Sequence, residues 1–166
     1  MSEGEGICAA VAAWLREQGV NAREGWSALD RVRLAAPAAV VTVREYAARP
    51  GGFENYLGER YSPEKGVWEE LYGKKVEVKL GLDLYGPEVC SEQELQRTAE
   101  ELVRLLTLGG PEGLQVGEVT CGETVWDEKQ RLLRRTMTAR CTAWLQAVGH
   151  EGAEFLDFEL RGGWKI

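Results

Sequence analysis

From Lys74 to Tyr85 the chain alternates apolar and polar residues almost without a break. Val76, Val78, Leu80, Leu82 and Leu84 are interleaved with Lys75, Glu77, Lys79, Gly81 and Asp83. A two-residue period puts every second side chain on one face of an extended backbone, so the segment reads as a strand with one buried side and one side that is wet or faces a partner. A helix through the same residues would scatter its leucines around the circumference. A strand with a Val/Leu face needs hydrogen-bonding neighbours and a covering layer, and the rest of the chain has to supply both.

The neighbours are legible. Ala39 to Tyr46 (AVVTVREY) is β-branched and aromatic, and its unbroken Ala39-Val40-Val41 run predicts burial on both faces at its start. Pro37 suits the approach to such a strand. Leu114 to Glu123 is a short strand. Arg131 to Val148 alternates again, with Leu133, Met137, Ala139, Cys141, Ala143, Leu145 and Ala147 on one side. Arg134, Thr136, Thr138, Arg140, Thr142 and Trp144 take the other, and Arg135 interrupts the apolar side. Phe155 to Leu160 (FLDFEL) closes the set.

Two helices can form the covering layer. Ile7, Ala10, Val11, Trp14 and Leu15 share a helical face, and Gly19 follows as a stop. Ser91 and Glu94 form an S-x-x-E capping box ahead of Leu95, Ala99, Leu102, Val103 and Leu106, with Gly109, Gly110 and Pro111 ending the helix. Asn21 to Arg33 reads as a loop or weak strand. The expected fold is a single α+β domain over 1–166: an antiparallel or mixed sheet of about five strands, with two main helices on one side, in the order α-β-β-α-β-β-β.

Between the first two strands lie 27 residues, Ala47 to Gly73, with five glycines and two prolines. A structureless connection of this length is unusual inside a compact domain. This one also carries Phe53, Tyr56, Tyr61, Trp68 and Tyr72, whereas disordered linkers are poor in aromatics. The segment therefore reads as an arm, in the manner of a hairpin, that packs on something other than its own core. Those five aromatics are the expected assembly interface.

Signatures of chemistry are sparse. The only histidine, His150, sits in a GHEG turn, and Cys8, Cys90, Cys121 and Cys141 are scattered with no zinc-knuckle or redox spacing. Catalytic thiols are normally paired with a histidine, and Cys141 falls on an inward strand face. Nucleophile-elbow and phosphate-loop motifs do not occur. Glu100 and Glu101 are adjacent on a helix and do not face each other, and Asp157 and Glu159 share a strand's outer face. No catalytic residue, cofactor or metal is expected; the thiols are expected to be reduced. With 20 basic and 27 acidic residues the net charge is -7, and Arg131, Arg134, Arg135 and Arg140 form the one basic cluster, so nucleic acid is not an expected partner. No signal peptide or membrane span is expected.

The order of elements, with LDLYG at Leu82 to Gly86 and DFELRG at Asp157 to Gly162, resembles the tail terminator (tail completion) proteins of long-tailed bacteriophages and prophages. The resemblance implies an α+β subunit that closes into a hexameric ring, caps the tail tube and later joins the head connector. It implies residence in the host cytoplasm and then in the virion tail. These words are not mechanistic motifs, so no individual residue role is carried over. Two alternatives stand beside it. One is another phage structural role, in head completion or as a tail tube subunit. The other is a small-ligand-binding or enzymatic domain with Trp26, Trp68 and Trp126 lining a cavity.

Overall fold

The computed structural model describes residues 3–50, 56–149, 155–160 and 164–165, and side chains for 6–50, 58–71 and 73–144. The described chain is α+β. In order it runs α1 (Glu3–Glu17), β1 (Ala22–Arg23), α2 (Ala28–Val32), β2 (Ala38–Pro50), β3 (Tyr56–Ser62), β4 (Val67–Gly86), α3 (Glu92–Leu108), β5 (Gln115–Asp127), β6 (Leu132–Gly149), β7 (Phe155–Leu160) and β8 (Trp164–Lys165). All eight strands belong to one sheet, which is mixed because β1 runs parallel to β2 while every other pair is antiparallel.

The five expected strands are β2, β4, β5, β6 and β7. The two expected helices, α1 and α3, pack on one face. Beyond them stand β1 and α2, within the segment read as a loop or weak strand, β3, within the arm read as a hairpin, and β8.

The centre of the sheet is the antiparallel pair β4–β6. Each of these strands has two partners on its other edge. β4 pairs with β2 over Lys74–Tyr85 and with β3 over Val67–Tyr72. β6 pairs with β5 over Leu132–Thr142 and with β7 over Leu145–Gly149.

The alternating face of β4 is the core. Val76, Val78, Leu80, Leu82 and Leu84 are each at most 2% exposed, and they pack with Met137, Ala139, Cys141 and Ala143 of β6. Above them lie Ile7, Val11 and Leu15 of α1 and Leu95, Ala99, Leu102 and Leu106 of α3. Lys75, Glu77 and Lys79 form ion pairs on the opposite face.

The opposite face has a small core of its own at one end. Trp26 stacks on Tyr85 with ring centroids 4.8 Å apart, beside Leu34, Ala38, Val40 and Leu132. Ala38–Val41 is thus covered from both sides, as its unbroken apolar run requires.

Local detail departs from expectation in two places on α3. Leu105 is buried and Val103 is 36% exposed, because the stripe facing the sheet includes Leu102, Leu105 and Leu106. At its N-terminus Ser91 Oγ accepts from the Glu94 amide at 3.2 Å, but the Glu94 carboxylate turns to the Cys90 thiol. The reciprocal box is found instead at Ser27–Asp30, where it starts α2.

Replacing Leu82, which is 0% exposed, with alanine removes core volume that the crossing helices cannot refill. A loss of about 2 to 5 kcal/mol in unfolding free energy is expected by urea titration. A loss below about 1 kcal/mol would mean that the alternating face of β4 is not the core.

Candidate functional site

The 47–73 stretch is not a separate appendage but an outgrowth of the sheet. β2 runs on to Pro50, and β3 resumes along the same edge of β4, which itself starts at Val67. Between β3 and β4 the chain turns through Pro63–Gly66. Gly66 takes φ +66 there, a left-handed value that glycine adopts without a Cβ penalty, and its amide donates to Ser62 O at 2.8 Å.

Four of the five expected interface aromatics become two cross-strand pairs of this hairpin. Tyr61 lies directly opposite Trp68, and Tyr56 directly opposite Tyr72. Opposed residues in an antiparallel pair share a face, and the Tyr61 and Trp68 rings sit with centroids 5.5 Å apart at 59°. Tyr61 is 51% and Trp68 65% exposed, so the pair holds itself in place without being buried. Tyr56 and Tyr72 are placed by backbone register, and Phe53 lies outside the described residues.

Strand parity decides which face this is. From Trp68 the even-numbered positions of β4 lead to Val76, Val78 and Leu80, so the aromatic pair continues the face on which the helices pack. The helical cover ends before it: on this face of β4 the described side chains are buried from Val76 onward, while Lys74 and Trp68 are exposed.

The other face of the hairpin is ionic. Glu69, only 3% exposed, receives Arg60 Nε at 3.1 Å from the opposed position on β3, and Lys65 Nζ is 3.8 Å away. A carboxylate shielded this well needs such partners. Together they hold the two strands at the turn and fix which face the aromatics present.

The tryptophans do not gather into one cavity. Trp26 stacks near the C-terminal end of β4 and Trp68 is at its N-terminal end, about 55 Å along an extended strand. Trp126 lies on β5 opposite Leu133.

The thiols stay apart, and none of the four is joined in a disulfide. Burial pushes Cys141 up to about 12, and burial followed by the Glu94 carboxylate pushes Cys90 up to about 11. Neither supplies a thiolate near neutrality. Among the described residues no three His, Cys, Asp or Glu side chains gather as metal ligands, and no helix is long and apolar enough to cross a membrane. His150 lies outside the described residues.

The back of the sheet is the feature sequence reading missed. Opposite the helices, a row of charged side chains crosses four strands at the level of Lys79, and two shallow grooves of ≈ 300 Å³ open there side by side, sharing Lys79 and Arg140. The available signal was weak: alternation marks these residues as outward, but not that bulges draw them together.

No protein-family model matches this chain, and no curated protein matches it.

The thiol geometry sets a labelling order. At about pH 8 a maleimide should modify exposed Cys121 first, and Cys90 and Cys141 only after denaturation. Because both buried thiols are raised, their protonated forms stabilise the fold fully below about pH 9, and that contribution is lost as pH climbs towards 11 to 12. Equal labelling rates for all four in the native protein would contradict the burial described.

Proposed function

We infer that this protein works by assembly, as a structural subunit of the tail terminator type found in long-tailed phages and prophages. It self-associates into a closed ring, with six subunits expected from the resemblance. The ring caps the tail tube and is later joined by the head connector. It acts in the host cytoplasm and then within the virion tail, without a substrate.

The observation that carries this reading is the Tyr61–Trp68 pair. It stands exposed on an extension of the sheet, on the face where the helices give cover elsewhere. Aromatics are enriched where interfaces bury their centres, and the entropy of ordering these two rings is reduced before any partner arrives. A ring requires heterologous contacts that close, so the hairpin of one subunit would meet a different surface on the next. The family resemblance supplies the choice of terminator over other assemblies.

The test uses the intact chain and a Tyr61→Ser/Trp68→Ser variant, produced with and without the tail tube partner. The variant should lose only about 1 kcal/mol of monomer stability, since exposed aromatic pairs are worth about 0.5 to 1.5 kcal/mol. It should fail to form rings by native mass spectrometry and should leave tails of irregular length without heads in electron micrographs. Deleting Gly52 to Gly66 should do the same in a domain that still folds by circular dichroism. Virions assembled normally by either variant would overturn the proposal. Open stacks in place of closed rings would point to a tube subunit.

A further inference from the structure

Arg140 occupies an unusual position at the centre of the sheet's back face. Its register partner on β4 is Lys79, so two cations stand directly opposed. Such pairing destabilises a sheet. On its other side β5 bulges: the register passes from Val116–Cys141 to Val119–Ala139, leaving Gly117 and Glu118 opposite Arg140 alone. Gly117 approaches so closely that a Cβ there would lie 3.3 Å from the Arg140 carbonyl oxygen.

A second bulge lies at the same level on the far side. In β2 the register passes from Val43–Leu80 to Glu45–Lys79, and Arg44 is the extra residue. Its guanidinium lies over Gly81, where an added Cβ would come within 2.7 Å of it and force it to move. It donates to the Met137 carbonyl at 2.9 Å and pairs with Asp83. Bulges re-aim side chains, and these two open towards one place.

The groove between them, ≈ 300 Å³, is lined by Arg44, Lys79, Glu118, Thr120, Thr138 and Arg140. Asp83 and Glu45, the partners of Arg44 and Lys79, lie outside its wall, and exposed Glu118 is the one carboxylate against three cations in it. Glu45 is 67% exposed and holds Lys79 at 3.4 Å, a weak restraint. The Arg140 guanidinium has no hydrogen bond or ion pair among the described residues.

We propose that this groove binds a tetrahedral oxyanion of the phosphate or sulfate class, gripped by Arg140 and Lys79 with the Thr120 and Thr138 hydroxyls donating beside them. The anion removes the repulsion that the register builds in. Donors reach the groove from β4, β5 and β6, which suits oxygens arranged in three dimensions better than a planar carboxylate. Arg44, held by Asp83 and Met137, contributes a fixed positive wall. The site is independent of the hairpin and of ring assembly.

The experiment is an amide NMR titration of the full chain with sodium sulfate, sodium phosphate and sodium acetate in turn, at ionic strength held constant with sodium chloride. Sulfate and phosphate should give saturable shifts concentrated at Lys79, Gly117, Thr120 and Arg140, with acetate at least about tenfold weaker. Arg140→Gln and Lys79→Gln should each weaken sulfate about tenfold, and Arg140→Gln should raise Tm in chloride because it removes the like-charge pair. A purely structural arginine would lower Tm on substitution. If Arg140→Gln fails to fold, Lys79→Gln decides. The proposal is overturned by shifts that do not saturate, by equal shifts at Arg97 and Arg104 on α3, or by variants that bind as the native chain does. Acetate binding as tightly as sulfate would overturn the tetrahedral class.

Discussion

Two adjacent strands, β4 with 20 residues and β6 with 18, run past the ends of every helix that could cover them. At about 3.3 Å per residue β4 spans roughly 65 Å. α3, with 17 residues at 1.5 Å each, covers about 25 Å of it. This mismatch in rise per residue underlies most of the architecture. It divides the sheet into a half with a hydrophobic core beneath α1 and α3 and a half that has to find its cover elsewhere. In the second half apolar burial gives way to devices suited to an exposed hairpin: a cross-strand aromatic pair on one face and a shielded Arg60–Glu69 pair on the other.

The same strands carry the groove on the back. The alternation that sends Leu80 and Leu82 into the core sends Lys79, Gly81 and Asp83 outward. Gly81 serves both faces. With no side chain it leaves room for the Arg44 guanidinium, which reaches the Met137 carbonyl where the regular β4–β6 pairing steps from Gly81–Thr138 to Leu84–Arg135. An arginine thereby takes part in a seam otherwise made by backbone amides. The ladder and the charged row are parts of one construction.

What could be read in the sequence follows from which forces act locally. The core face of β4 was legible because period-two alternation over twelve residues has a single structural solution, and the inward face of β6 through Met137, Ala139 and Cys141 followed for the same reason. The double burial of Ala38–Val41 was legible from an unbroken apolar run, although its second cover, Trp26 on Tyr85, was not. Elements set by tertiary context were legible only in part: a weak strand was one of two readings for 21–33, and the helix there was missed. β1 has two residues and exists through its pairing with Ala39 and Val40, and α2 has five and rests on the Ser27–Asp30 box. The hairpin was legible as an aromatic-rich arm, but its register was not. Only pairing shows that Tyr61 and Trp68 oppose each other around the Pro63–Gly66 turn. The bulges at Arg44 and at Gly117–Glu118 leave no mark that a sequence reader can separate from ordinary strand residues.

The β4–β6 seam also fixes an order of events during synthesis. β2, β3 and β4 are contiguous in the chain and can zip together as soon as Gly86 has been made. The partner for the other edge of β4 begins only at Leu132, after α3 and β5 have been translated. At about 5 to 20 residues per second, the longest described strand waits some seconds with one row of amides and carbonyls unpaired. An edge of that kind is a template for intermolecular pairing. Lys74, Lys75 and Lys79 are spaced along it, charges of the kind that blunt an exposed strand edge.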